Sequence, residues 1–251
     1  MRRGAMAAAL PLALGACTIG LGQVREPGRM QPIPTAFPSN SMTFAARTDS
    51  GVVVFDLGWT GAGKALRRGL RSLGARPEDV TDVFLTHSHR DHIGAWRVVR
   101  HARFHLGLPE EGAFTGRETH ADLPSRATER LMGNPAPWAG EVAVHPFTRD
   151  TAFVFGADTL RAYLVPGHTS GSAAYLFRGV LFVGDAVVYS YLTGFRPGYD
   201  IYSREPGTNL ASLRSLFERV RPRDVRWVCT SHAKCARPDE RFLRKVLRPT
   251  Q

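Results

Sequence analysis

The stretch that most constrains this chain is THSHRDHIGA, residues 86–95. It sets His87, His89, Asp91 and His92 close together, directly behind the apolar Val83, Phe84 and Leu85. Neutral imidazole is a common ligand for zinc and related metals. A His-x-His pair at a strand end turns both rings towards one point if the backbone bends there. Asp91 and His92 do not easily reach that same point, but they can serve a second metal a few ångströms away. The alternative, a surface loop that happens to be rich in histidine, leaves the rest of the pattern unexplained. PGHTSGS (166–172) puts His168 after the strand-like TLRAYLV, VLFVGDA (180–186) ends another apolar run on Asp185, and WVCTSHA (227–233) ends a third on His232. Every candidate ligand follows an apolar run of β character. Strand ends at one edge of a sheet form a rigid rim, which is what a metal site needs.

In this order, THSHRDH, PGHTSGS, GD and SH resemble the metallo-β-lactamase superfamily of metal-dependent hydrolases, over roughly residues 43–235. The resemblance implies an α/β fold, the four-layer αβ/βα sandwich, with metals at one edge. It implies that His87, His89 and His168 hold one metal, that Asp91, His92 and His232 hold another, and that Asp185 bridges the two. The expected cofactors are two divalent ions, zinc first, with iron or manganese as alternatives. A water held between two such ions becomes a hydroxide nucleophile near neutral pH. Asp91 is then either a ligand alone or also the group that orients this water and takes its proton.

The scissile bond is less constrained. Asp185 stands where the β-lactamases proper generally have Cys or Ser, so this chain is more similar to the thioesterase, lactonase and phosphodiesterase branches. PGHTSGS also resembles the PGHTPGS of hydroxyacylglutathione hydrolases, although no counterpart of their helical glutathione-binding domain is expected after His232. Some lactonases place a Tyr three residues beyond the bridging Asp. Val188 occupies that position here, with Tyr189 and Tyr191 following. Tyr189 is the candidate to support a developing oxyanion, the alternative being a packed aromatic. The expected substrate is a small molecule with an ester, thioester, lactone or similar acyl bond. Competing readings are β-lactam or phosphodiester hydrolysis, and a non-catalytic envelope protein that kept the fold. A diiron redox role lacks its flavin domain. The formal net charge of +11 is compatible with nucleic acid, but no block of basic residues interleaved with aromatics appears, so nucleic acid is not an expected partner. The oligomeric state is left open.

The N-terminus suggests a destination. Arg2 and Arg3 precede the short apolar AMAAALPLALGA, and Leu14, Gly15, Ala16 and Cys17 resemble a bacterial lipobox. The expectation is a signal peptide over residues 1–16, a lipid anchor on Cys17, a Pro- and Gly-rich tether over 17–40, and one hydrolase domain over 41–251. Such a protein sits in the bacterial cell envelope, lipid-anchored on a periplasmic or extracellular face, and on the outer membrane where there are two membranes. In that oxidising compartment Cys229 and Cys235 can form a disulfide, though spacing leaves free thiols or a thiol near the metal equally open.

Within the domain, MTFAA and VVVFDLG read as a hairpin. Helices are expected over 62–73, over 94–102 and, with Thr208 as N-cap, over 208–220. Residues 107–141 show little periodicity and read as a long substrate loop. His101, His105, His120 and His145 fall outside the ligand pattern and read as surface or internally satisfied, with His120 and Asp122 placed to touch substrate.

Overall fold

A computed structural model of the chain describes residues 30–35, 41–137, 139–190, 192–233 and 235–248. Six strands form the first sheet in chain order: β1 (Gln31–Pro34), β2 (Met42–Thr48), β3 (Gly51–Phe55), β4 (Val80–Phe84), β5 (Arg103–Gly107) and β6 (Ala143–Phe147). β1, β2 and β3 pair antiparallel, and β3 to β6 pair in parallel. Six more strands form the second sheet. They are β7 (Thr151–Phe155), β8 (Asp158–Leu164), β9 (Ala173–Phe177), β10 (Val180–Phe182), β13 (Trp227–Cys229) and β14 (Cys235–Ala236), in the spatial order β14-β13-β10-β9-β8-β7. A short ribbon, β11 (Val187–Ser190) with β12 (Gly194–Pro197), stands apart.

Strand parity builds the layers, because successive side chains point to opposite faces. Phe44, Phe55 and Phe84 of the first sheet meet Tyr175, Phe177 and Phe182 of the second in an aromatic seam between the sheets. The alternate residues Val54, Val83 and Phe104 face outward. They are covered by α1 (Gly63–Ser72), through Leu66 and Leu70, and by the turn Trp96–Val99. On the far side, Leu176, Leu181 and Val228 are covered by α5 (Pro206–Arg219) and α6 (Glu240–Val246). The central strands β3, β4, β9 and β10 are buried on both faces, which explains why they read as near-continuous apolar runs, whereas β6, β7 and β8 keep one face open to solvent. The result is the expected helix–sheet–sheet–helix order.

Four local expectations change. The helix expected over 94–102 is instead α2 (Arg90–Ile93) followed by a 3-10 turn. Gly94 lies against the backbone of Trp59 and Thr60, where even one Cβ would overlap, and the Gly94 and Ala95 N–H groups donate to the carbonyls of Gly58 and Leu57, which ties the chain to that segment. The segment 107–141 is not a featureless loop: it carries α3 (Glu111–Phe114) and α4 (Leu123–Met132), the latter capped by Asp122, whose carboxylate accepts from the Ser125 backbone N–H. Thr208 is not an N-cap, since α5 opens earlier at Pro206, and Thr208 donates to Glu205 instead. The stretch assigned to a tether includes strand β1, whose Ile33 is buried against α1, so the fold begins before residue 41. Cys17 and Tyr191 lie outside the described residues.

Candidate metal centre

β3, β4, β10 and β13 all end at the same edge of the sandwich, and the loops leaving β4, β8, β10 and β13 carry the ligand-type residues. Placement beyond the carboxyl ends of strands is the general location of sites in parallel sheets. His87 Nε2, His89 Nδ1 and His168 Nε2 form a triangle with sides of 3.1, 3.1 and 3.2 Å. Donors around one tetrahedral zinc, bound at about 2.1 Å, are separated by roughly 3.4 Å, so the triangle has the right size. Two of the rings, His87 and His168, are kept neutral. Burial, together with neighbouring histidines, holds His87 well below its ordinary pKa, and burial and His89 bring His168 down to about 4. Neutral lone pairs converging on one point, out of water, make a site for a cation.

Next to it lies a second group. Asp91 Oδ2 is 3.3 Å from His232 Nε2, and Asp91 Oδ1 is 3.7 Å from His92 Nε2. Asp185 Oδ2 sits between the groups, 3.0 Å from His232, 3.8 Å from His92 and 3.9 Å from His168. His92 Nε2 and Asp185 Oδ1 are buried without a hydrogen-bond partner among the described residues. Buried polar atoms are rarely left so, and a metal ion would satisfy both. The charge pattern agrees. Burial opposes the charged forms, yet Asp56, Asp91 and Asp185 raise His92 well above its ordinary pKa. Against the same penalty, Asp185 brings His232 up to about 9, while His232 and His92 hold Asp185 well below the carboxylate range. The second group therefore carries protons where a cation belongs. All seven sequence-derived ligand positions meet here, as histidine triad and Asp91–His92–His232 group, with Asp185 between them. A set of imidazoles with carboxylates suits zinc and also iron or manganese.

Three acidic residues that the motif did not mark hold these ligands in place. Asp56 accepts from His92 Nδ1 at 2.9 Å and from the Thr86 backbone and hydroxyl at 2.7 and 2.8 Å. Asp122 accepts from His89 Nε2 at 2.9 Å, which leaves Nδ1 for the triangle. Glu110 accepts from Ser88 N and Oγ and from Gly171 N, tying the two histidine loops together. Such outer partners fix ring orientation and tautomer. Asp56 had a sequence signal, since it ends an apolar strand as Asp185 does. Asp122 was marked in the sequence only as a substrate contact, and it holds His89 instead; Glu110 had no signal. His105 is satisfied by Asp82 at 2.8 Å, as expected. His120 is buried and bonded to Ser88 Oγ and Glu129.

The centre opens into a cavity of about 390 Å³, lined on one wall by Trp59, Val188, Tyr189, Tyr199 and Tyr202 and on the other by Ser125, Thr128 and Glu129 of α4. This is the ordinary size for a small-molecule site. Tyr189 lines it and packs on Phe195, with ring centroids 4.9 Å apart. Cys229 and Cys235 are bonded as a disulfide across the β13–β14 pair, and neither belongs to a donor group.

Comparison with known proteins gives a consistent picture. The family model for the metallo-beta-lactamase superfamily matches residues 34–232. The hydroxyacylglutathione hydrolase of Gloeobacter violaceus is 31% identical over 136 residues, 53% of this chain and 44% of that protein. That of Pseudomonas fluorescens is 26% identical over 151 residues, 60% of this chain and 46% of the relative. The chain thus spans about half the length of these relatives. Among solved structures, the B3 metallo-beta-lactamase BLEG-1 superposes with a TM-score of 0.64 at 26% identity, covering 82% of this chain and 93% of that one. A metallo-beta-lactamase family protein from Thermus thermophilus gives 0.60 at 26% identity, covering 83% and 74%.

Proposed function

We propose that this chain, which belongs to the metallo-beta-lactamase superfamily, is a dinuclear metal-dependent hydrolase of an ester, thioester, lactone or similar acyl bond in a small molecule. The observation that carries the reading is the convergence of seven ligand-type side chains, with Asp185 Oδ2 within 3.0–3.9 Å of nitrogens from both groups. His87, His89 and His168 would hold one cation and Asp91, His92 and His232 the other, with Asp185 shared.

Two divalent cations, when bound, supply Lewis acidity and a water whose pKa is lowered to near neutral. The chain's own residues do the rest. Asp56 and Asp122 fix the His92 and His89 rings, so no reorganisation is needed during reaction. Asp91, partly open to the cavity, is placed to orient the attacking water and accept its proton. Tyr189, on the cavity wall, is the donor assigned to the developing oxyanion. Trp59, Tyr199 and Tyr202 give the substrate an apolar seat beside the reacting centre.

The acyl-bond reading draws on the carboxylate at 185 and on the likeness to hydroxyacylglutathione hydrolases, whose named substrate is an acylated glutathione. The likeness to a B3 metallo-beta-lactamase favours a second reading, β-lactam hydrolysis, against which the bridging carboxylate weighs. An envelope location with Cys17 lipidated is part of the proposal and is supported by the lipobox-like sequence. The test is metal content and hydrolysis for wild type and Asp185→Asn, on a panel of thioesters, lactones, esters and β-lactams. About two zinc ions per chain, fewer in the mutant, and turnover that is lost on chelation and restored by zinc are expected. One ion or none in the wild type, with no turnover gained on adding zinc, sinks the dinuclear reading.

A further inference from the structure

α4 is built inside out. Its cavity side is polar, with Ser125, Thr128 and Glu129 lining the site. Its solvent side carries Leu123, Ala127 and Leu131 at helical spacing, with Leu123 75% and Leu131 85% exposed. Beside this apolar stripe run Arg126 and Arg130, both exposed and neither in an ion pair among the described residues. The turn Asp200–Tyr202, packed against α4, continues the patch with Ile201 (71% exposed) and Tyr202. Tyr202 also lines the cavity, so the patch forms the rim of its mouth. A helix normally turns its apolar stripe inward, and contiguous apolar surface rimmed by charge marks an interaction site.

We propose that α4 and the Asp200–Tyr202 turn form a docking face for an anionic lipid surface, seating the cavity mouth on the bilayer. Leucines beside unpaired arginines are the signature of a helix lying in the interface plane. At ten residues α4 is too short to span, and no helix among the described residues is long and apolar enough to cross a membrane. Charge complementarity selects the occupant. The face sets Arg126 and Arg130 against the single acid Asp200, in a chain of net charge +11. A second copy paired on this face about a two-fold axis would bury four arginines with only the two copies of Asp200 to meet them. A substrate tail inside the cavity would not cover Leu123 or Leu131, which point away from it. On the hydrolase reading, the same geometry hands a lipid-borne amphiphile from bilayer to cavity past Tyr202 and Tyr199, so the substrate class narrows to acyl compounds that partition into membrane.

The test uses the mature chain from residue 17 carrying Cys17→Ser, so that neither signal segment nor acyl anchor contributes, metal-stripped and without substrate, which makes it independent of hydrolysis. A polarity-sensitive dye is placed through Leu131→Cys, or through Val154→Cys on β7 as a control. Vesicles of equal phosphatidylglycerol and phosphatidylcholine should shift the emission of the dye at 131 to the blue and leave that at 154 unchanged. Adding Arg126→Gln and Arg130→Gln should weaken the midpoint on anionic vesicles roughly 20–30-fold, at about fivefold for each arginine near the surface, and raised salt should do the same. No shift at 131, equal shifts at both positions, or a shift at 131 that tracks self-association without vesicles overturns the docking face.

Discussion

Metal loading should release more protons from one half of the centre than from the other. The metal-free second group stores positive charge as protons. His232 is raised to about 9 and His92 well above its ordinary range, each by carboxylates that outweigh burial. At pH 7 a group of pKa near 9 is ~99% protonated. His87 and His168 are neutral at the same pH, with His168 near 4. Metal ligands must be deprotonated, so loading the Asp91–His92–His232 group should expel the protons held on His92 and His232, whereas His87 and His168 have none to give up. Each displaced proton changes the apparent affinity about tenfold per pH unit, so the His232 proton alone should make the second group tighten about tenfold per unit below pH 9, and the His92 proton should steepen that dependence. A chain stripped by chelator should then take one zinc tightly near pH 6 and a second only as the pH approaches 8. Calorimetric titration at three pH values, in buffers of different ionisation enthalpy, reads both the stoichiometry and the proton count. Equal release from the two sites, or a second affinity that does not change between pH 6 and 8, would refute the electrostatic assignment.

Asp122→Asn keeps a good N-cap for α4 but loses the charge on His89, so triad affinity should fall about 10–100-fold by competition with a chromophoric chelator, with the thermal midpoint of the metal-free chain unchanged. Gly94→Ala should cost about 1–3 kcal/mol in denaturant titration, because its Cβ meets the Trp59–Thr60 backbone and a backbone shift is the only escape. Asp82, remote from the metal groups, is buried, which disfavours its charge, but hydrogen bonds from His105 and Arg103 hold its carboxyl well below the usual range. A depressed folded pKa contributes stability that is present above the unfolded value of about 3.9 and lost as pH falls below it. Asp82→Asn should therefore lower stability by about 2–3 kcal/mol at pH 7 and progressively less towards pH 2, and a gap that widens on acidification would contradict this.

What the sequence revealed and what it hid follow from one distinction. Ligands at the ends of apolar strands were legible because strand and ligand are adjacent in the chain: His87 follows β4, Asp185 follows β10 and His232 follows β13. The orienting roles of the residues behind them were not, even for Asp56 at its strand end, because they act across the fold. Asp56 reaches His92 over 36 positions, Asp122 reaches His89 over 33 and Glu110 reaches Ser88 over 22. The order of layers was legible through the family resemblance and not through periodicity, since the central strands, such as β9 and β10, are buried on both faces and do not alternate. α4 escaped for the opposite reason. Periodicity finds helices by assuming that apolar positions face a core, and in α4 the apolar positions Leu123 and Leu131 face solvent while Ser125, Thr128 and Glu129 face the cavity. The same inversion that hid this helix in the sequence is what gives it an outward face to dock with, so the element least legible as structure is the one that says most about where the site works.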